Sequence, residues 1–272
     1  MTGASRDWAV WTRARGGPDQ PLDLLHASLV RRQYAQHMHA EYAIGACTSG
    51  LERISYRGAM RHSGPGSVVV IEPEEAHTGA PAVATGFTYR VLYPSVDLLR
   101  EHDGARRPHF REPVLHDPEL AARLCAAHAG LSRPGTERLA AESLLVGTLD
   151  LLIRRHAEPA PEAPLPGPVA RGVMARLSDQ LVDPPSLQHI ADELGMSRFQ
   201  LLRAFRNEVG MPPYAWLAQH RVARARGLLV GGARPASVAA QVGFADQAHL
   251  TRWFQRVLGI TPGAFARSLR SG

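Results

Sequence analysis

"HIADELGMSRFQLLRAFRNEVGMPP", residues 189–213, and "SVAAQVGFADQAHLTRWFQRVLGITP", residues 237–262, are two versions of one pattern. Ile190-Ala191 aligns with Val238-Ala239 and Gly195 with Gly243, at an offset of 48. One residue is then inserted in the second copy, and Leu201, Arg203, Phe205, Gly210 and Pro213 align with Leu250, Arg252, Phe254, Gly259 and Pro262 at an offset of 49. Each copy reads as a short helix, a glycine turn and a second amphipathic helix stopped by another glycine. That is a helix-turn-helix.

The second helix of each copy has an inner and an outer face. Leu201 and Phe205 lie four apart, as do Leu250 and Phe254, so each pair shares one face and should enter the core. Ser197 and Asp246 are suited to cap these helices. The outer faces carry Arg198, Phe199, Leu202, Arg203 and Arg206 in the first copy, and Gln247, His249, Thr251, Arg252 and Arg256 in the second. Arg can grip guanine with two bonds, Gln can pair with adenine, and Thr can touch a thymine methyl. Between the copies, Trp216, Leu217, His220, Ala223 and Leu228 have roughly helical spacing, which predicts one stiff connecting helix. Such a helix would hold two recognition helices about one DNA turn, roughly 34 Å, apart. Arg221, Arg224 and Arg226 on it are expected to meet phosphates. Helical protein-binding repeats use similar units, but two copies are few for a solenoid.

Charge supports this division. Residues 1–168 hold 18 Arg against 19 acidic residues, whereas residues 169–272 hold 13 Arg against 6, so the excess of cations belongs to the C-terminal part. The 272 residues suffice for two cores,. No run is long and apolar enough to span a bilayer and the N-terminus has no signal pattern, so a cytoplasmic protein with no membrane partner is expected. Cys47 and Cys125 show neither zinc nor redox spacing and read as buried thiols,. No cofactor is called for.

"SLQHIADELGMSRFQLLRAFRNEVGMPP" followed by "ASVAAQVGFADQAHLTRWFQRVLGITPGAFAR" resembles the AraC/XylS family of bacterial transcriptional regulators over about residues 169–270. The resemblance implies a bi-lobed domain on double-stranded DNA near promoters, often contacting RNA polymerase to activate. It puts recognition on Arg198, Phe199, Leu202 and Arg203 in one lobe, and on Gln247, His249, Thr251 and Arg252 in the other. Leu202 departs from the polar residue often found at its place, so the leading lobe would read with fewer hydrogen bonds.

Residues 25–95 read as β-rich, with short apolar runs between Gly and Pro, which suggests a sandwich or barrel able to hold a small-molecule effector. "QHMHAEYAIG" puts His37 and His39 on one side of an extended strand, and "PGSVVVIEPEEAHTG" presents His77 after a turn. These stretches resemble cupin barrels. Three readings of the histidines stay open: polar lining of an effector pocket, a metal site, and structural hydrogen bonding. Glu41 follows His39 more closely than the cupin enzyme pattern places its Glu, and Glu74 stands where a turn glycine is common. The run Glu72, Glu74, Glu75 reads as a solvated turn. Arg90 and Tyr93 would reach an effector if their strand lines the barrel.

Residues 117–131 and 136–156 read as helices; Leu139, Leu145, Leu149 and Leu152 form a stripe that suggests a partner. The resemblance implies that this is a dimerisation segment forming a homodimer, with packing on the chain's own barrel as the alternative. The expected fold is α+β: a cupin-like effector-binding barrel (1–112), two dimerisation helices (113–157), a Pro-rich linker (158–168) and an all-α domain with two helix-turn-helix units (169–272). The expected function is an effector-controlled, sequence-specific transcription factor, most simply an activator. The competing class is a cupin metalloenzyme fused to a DNA-targeting domain.

Overall fold

A computed structural model describes residues 6–16, 20–102, 107–133, 138–158 and 167–269. The chain divides into two compact units, Met1–Pro161 with Ser268–Gly272, and Glu162–Arg267.

The first unit is a stack of two antiparallel sheets. Its strands are β1 (Trp8–Arg15), β2 (Pro21–Leu29), β3 (Tyr34–His37), β4 (Ala43–Gly50), β5 (Glu52–Tyr56), β6 (Ala59–Ser63), β7 (Ser67–Ile71), β8 (His77–Pro81), β9 (Phe87–Tyr93) and β10 (Val114–His116). The larger sheet has the order β1-β2-β9-β4-β7-β10 and the smaller β3-β8-β5-β6. The larger sheet is apolar on both faces because both are covered. Leu22, Leu24, Ile44, Ala46, Val68, Val70 and Leu92 join one core with α2 (Pro118–Ser132) and α3 (Arg138–His156). Residues of the opposite parity turn inward: the Tyr89 hydroxyl, on β9, donates to the Tyr34 hydroxyl on β3 at 3.0 Å.

Several expectations change here. The β region begins at Trp8, a short helix α1 (Val96–His102) follows β9, and the segment assigned to helices at 113 starts with a strand, β10. Leu145, Leu149 and Leu152 are about 1% exposed, because α3 packs on α2 and they join the core that α2 forms over the larger sheet; only Leu139 of that stripe, 69% exposed, faces outward, with Val146 also exposed. Most of the stripe thus serves the chain's own core. Glu72 is not a solvated turn residue. It is buried, accepts from the Phe110 amide at 2.8 Å, and sits 3.2 Å from Arg57 and 2.8 Å from His109. Glu74 does take the left-handed backbone expected of a glycine, φ 65°. Cys47 is buried and its thiol is pushed up to about 11, first by burial; Cys125 is only half-buried, with its thiol also raised by burial. Of the Pro-rich linker, Glu158 is tied to the first unit through His109 and Pro168 opens a helix; residues 159–166 lie outside the described residues.

The second unit is helical: α4 (Pro168–Asp179), α5 (Leu187–Glu193), α6 (Arg198–Val209), α7 (Pro213–Val230), α8 (Pro235–Gln241), α9 (Gln247–Leu258) and α10 (Pro262–Ser268). α5 with α6, and α8 with α9, are the two repeats. Ser197 and Gln200 form a reciprocal capping box at α6, and Asp246 caps α9 by accepting from the His249 amide,. The turns need Gly195 and Gly243, at φ 65° and 85°, where a side chain is strained,. A Cβ on Gly195 would meet nothing within 4 Å, whereas one on Gly243 would lie 2.7 Å from the Val182 carbonyl oxygen and 2.8 Å from Arg221. Gly195→Ala is therefore expected to lose only the conformational share, about 1 kcal/mol, and Gly243→Ala more. Urea unfolding of the two variants checks the ranking; equal losses would refute it.

α7 is the predicted connector, but its buried stripe runs through Trp216, Val222, Ala225 and Leu229, while Ala223 is exposed and Leu228 half-buried. Arg221 is not a free phosphate contact. It is 4% exposed and donates to the carbonyls of Leu181 at 2.8 Å and Val182 at 3.1 Å, tying the segment after α4 to α7.

Candidate functional sites: a helical reading surface and a histidine cluster

In the helical unit the same positions of α6 and α9 turn inward. Leu201, Phe205, Leu250 and Phe254 are 0% exposed. Phe205 packs on Trp216 and Phe254 edges onto Phe265. Burying these pairs orients the remaining faces outward by helical geometry. On α6, Arg198, Phe199 and Arg203 are exposed and Leu202 half-buried; on α9, Gln247 and Arg252 are exposed and His249 and Thr251 half-buried. Phe199, at 68% exposure, packs only lightly, with the Arg198 guanidinium over its ring. His249 is braced from α7, its Nε2 lying 3.1 Å from the Tyr214 hydroxyl. Sequence reasoning had not singled out Tyr214, although an aromatic at the first turn of the connector was visible.

In the sandwich unit, β3 and β8 pair so that His37 faces His77 across the strands, their ring centroids 4.2 Å apart. His39 lies beyond the end of β3, not on the strand, and still comes within 4.9 Å of His77 ring to ring. One ligand atom from each of the three histidines can be chosen so that all lie within 4.8 Å of one another. Each ring is held by its Nδ1: His37 on the Ala35 carbonyl at 2.9 Å, His39 on that of Glu41 at 2.8 Å, and His77 on that of Glu75 at 3.1 Å. Burial, and then the neighbouring imidazoles, lower His37 to about 4 and His77 well below its usual value. Tyr93 stands edge-on to His39 at 5.5 Å.

Arg90 is not brought to this cluster. A strand alternates sides, so Arg90 and Tyr93 face opposite ways. Arg90 instead meets α2, donating to His128 Nδ1 at 3.1 Å. Tyr93 also lines a cleft of about 270 Å³ with Arg13, Gln20, Asp23, Glu41 and Ser95. Arg13 and the buried Asp23 pair there at 3.2 Å. Arg13 and Asp23 had not been read as site residues: Arg13 lies on β1, which had not been foreseen, and Asp23 pairs with it from β2.

The sequence matches the model of the AraC-like ligand binding domain over residues 20–147 and that of a helix-turn-helix domain over residues 190–268. It is 26% identical over 228 residues to the HTH-type transcriptional regulator YbfI of Bacillus subtilis, covering 81% of this chain and 82% of that protein. It is 30% identical over 183 residues to the arabinose operon regulatory protein of Salmonella typhimurium, covering 65% of this chain and 60% of that one. Other matches span about half of their relatives, such as a putative AraC-like transcription regulator of Streptomyces lividans, 34% identical, with 50% of this chain and 47% of the relative covered. The structure of unsaturated fatty acid bound wild-type ToxT from Vibrio cholerae superposes with a TM-score of 0.60 at 12% identity, covering 94% of this chain and 98% of that one. That likeness is one of fold. Among the described residues no helix is long and apolar enough to cross a membrane.

Proposed function

The chain belongs to the AraC family of transcriptional regulators, with an AraC-like ligand-binding domain ahead of a helix-turn-helix DNA-binding domain, and from that premise we propose how it reads DNA and what it senses. Arg198, Phe199, Leu202 and Arg203 on α6, with Gln247, His249, Thr251 and Arg252 on α9, contact successive major grooves of a duplex. The observation that carries this reading is the matched burial of Leu201/Phe205 and Leu250/Phe254, which leaves equivalent faces of two equivalent helices outward.

Arg252→Ala is expected to weaken binding to a specific operator by about 1 to 3 kcal/mol while leaving random DNA nearly unchanged. Equilibrium titration against both duplexes checks it. Equal weakening on the two would make Arg252 a phosphate contact.

The effector is a small molecule held in the first unit by His37, His39, His77 and Tyr93, with the adjoining cleft of Arg13, Gln20 and Asp23 supplying polar contacts. The Arg13–Asp23 pair favours a polar ligand. Effector binding shifts the balance between arrangements that differ in DNA affinity. The protein acts in the cytoplasm, without an enzymatic step, as a homodimer that activates through RNA polymerase. Leu139 and Val146, seven apart on one face of α3 and both exposed, support the dimer. Residues 1–112 sense, 113–157 pair, 158–168 link and 169–272 read.

A further inference from the structure

We propose that His37, His39 and His77 bind one divalent transition-metal ion, of the zinc or iron(II) class, through their Nε2 atoms. The proposal deepens the effector reading and rests on those three residues sharing the interior of the first unit.

Three observations converge. The first is convergence itself: histidines from β3, from the turn after it and from β8 bring their ligand atoms within 4.8 Å of one another. The second is the tautomer. A backbone carbonyl only accepts, so the Nδ1 atoms bonded to Ala35, Glu41 and Glu75 carry the hydrogens, and each Nε2 presents a lone pair,. That hydrogen bond is the outer-shell support metal-bound histidines need to fix ring orientation. The third is burial: His37 and His77 are each 8% exposed, so the cluster lies within the unit and not on its surface.

The donor set selects the ion. Imidazole nitrogen suits zinc, iron, nickel and copper, while calcium and magnesium require oxygen ligands. Three protein ligands leave a coordination position open. Tyr93 borders both His39 and the cleft, so a ligand seated in the cleft lies next to the cluster.

The test uses the full chain purified without a polyhistidine tag, stripped with a chelator and titrated with Co2+ and then Zn2+. About one ion per chain is expected, with visible d–d bands for Co2+ that Zn2+ abolishes, and a rise in melting temperature. His37→Ala, His39→Ala and His77→Ala should each weaken binding at least about tenfold. His77→Gln, which keeps polarity without the ring, should retain the wild-type far-UV circular dichroism and unfolding cooperativity yet lose the bands. Binding below one ion in ten chains, or binding unchanged in the histidine variants, overturns the proposal. If a stripped chain binds no metal but a small organic molecule still raises its melting temperature and His37→Ala removes that rise, the metal proposal fails and the effector reading stands. If neither metal nor any organic molecule moves the melting temperature, both fail.

Discussion

Phe254→Ala is expected to remove about 3 to 5 kcal/mol from the stability of the helical unit, as a buried aromatic truncation does. Phe254 is fully buried and meets Phe265 edge-to-face at 5.5 Å between centroids, so the cavity would open between α9 and α10. α9 is a short helix of twelve residues whose orientation comes from that packing more than from its own propensity,. The variant should therefore also lose operator binding, although Phe254 itself is turned away from the duplex. Arg252→Ala separates the two effects, since it should lose operator affinity at an unchanged melting temperature. Urea unfolding of both variants reads the difference. A Phe254→Ala chain that melts like the wild type would show that α9 is oriented the other way round.

Acid should weaken the sandwich unit through His128. The residue is 2% exposed on α2, lies 3.0 Å from the Leu25 carbonyl through Nε2, and accepts from Arg90. Burial first, and then the Arg90 guanidinium, lower it to about 3, with His26 nearby adding to the effect. Below its ordinary value of 6.5 the unfolded chain takes up a proton that the native chain refuses. Stability is thus lost progressively as pH falls from about 6.5 toward 3, by about 1.4 kcal/mol per unit, or about 2 to 3 kcal/mol at pH 4.5. His128→Gln can keep a donor toward Leu25 and an acceptor toward Arg90 without titrating. The gap between wild type and this variant, measured by urea unfolding at pH 7 and 4.5, should shift by that amount in favour of the variant. A gap that does not change with pH would assign the acid sensitivity elsewhere.

The two units differ in how far their residues announced them. In the helical unit the signals are local: turn glycines, the Ser197 and Asp246 caps, and apolar pairs four apart all act within a dozen residues, so reading them in order suffices. Arg221 escaped that reading because its partners are carbonyls some forty residues away, and nothing in its own neighbourhood marks an inward guanidinium. In the sandwich the β class was legible, but strand order is set by pairing between distant segments. β1 opens with a short apolar run, Trp8 to Trp11, of which Trp8 and Val10 stay exposed, and then turns polar, while β10 is only three residues long. The separation of Arg90 from Tyr93 was available from strand parity alone. The leucines of α3 misled for a different reason: an apolar stripe is the same whether its partner is another copy or the chain's own core. For the histidines, identity and spacing marked candidates, but the Nδ1 contacts that orient them depend on the backbone of Ala35, Glu41 and Glu75.

The state of the two thiols has a practical outcome. Cys47 is enclosed, and burial raises the pKa of both thiols, which disfavours the reactive thiolate,. A cysteine introduced on the open side of α6 or α9 would then outpace both natural ones toward maleimide dyes at neutral pH. Fluorophores attached at such positions on the two probe helices would let their spacing be measured by energy transfer, on and off a duplex.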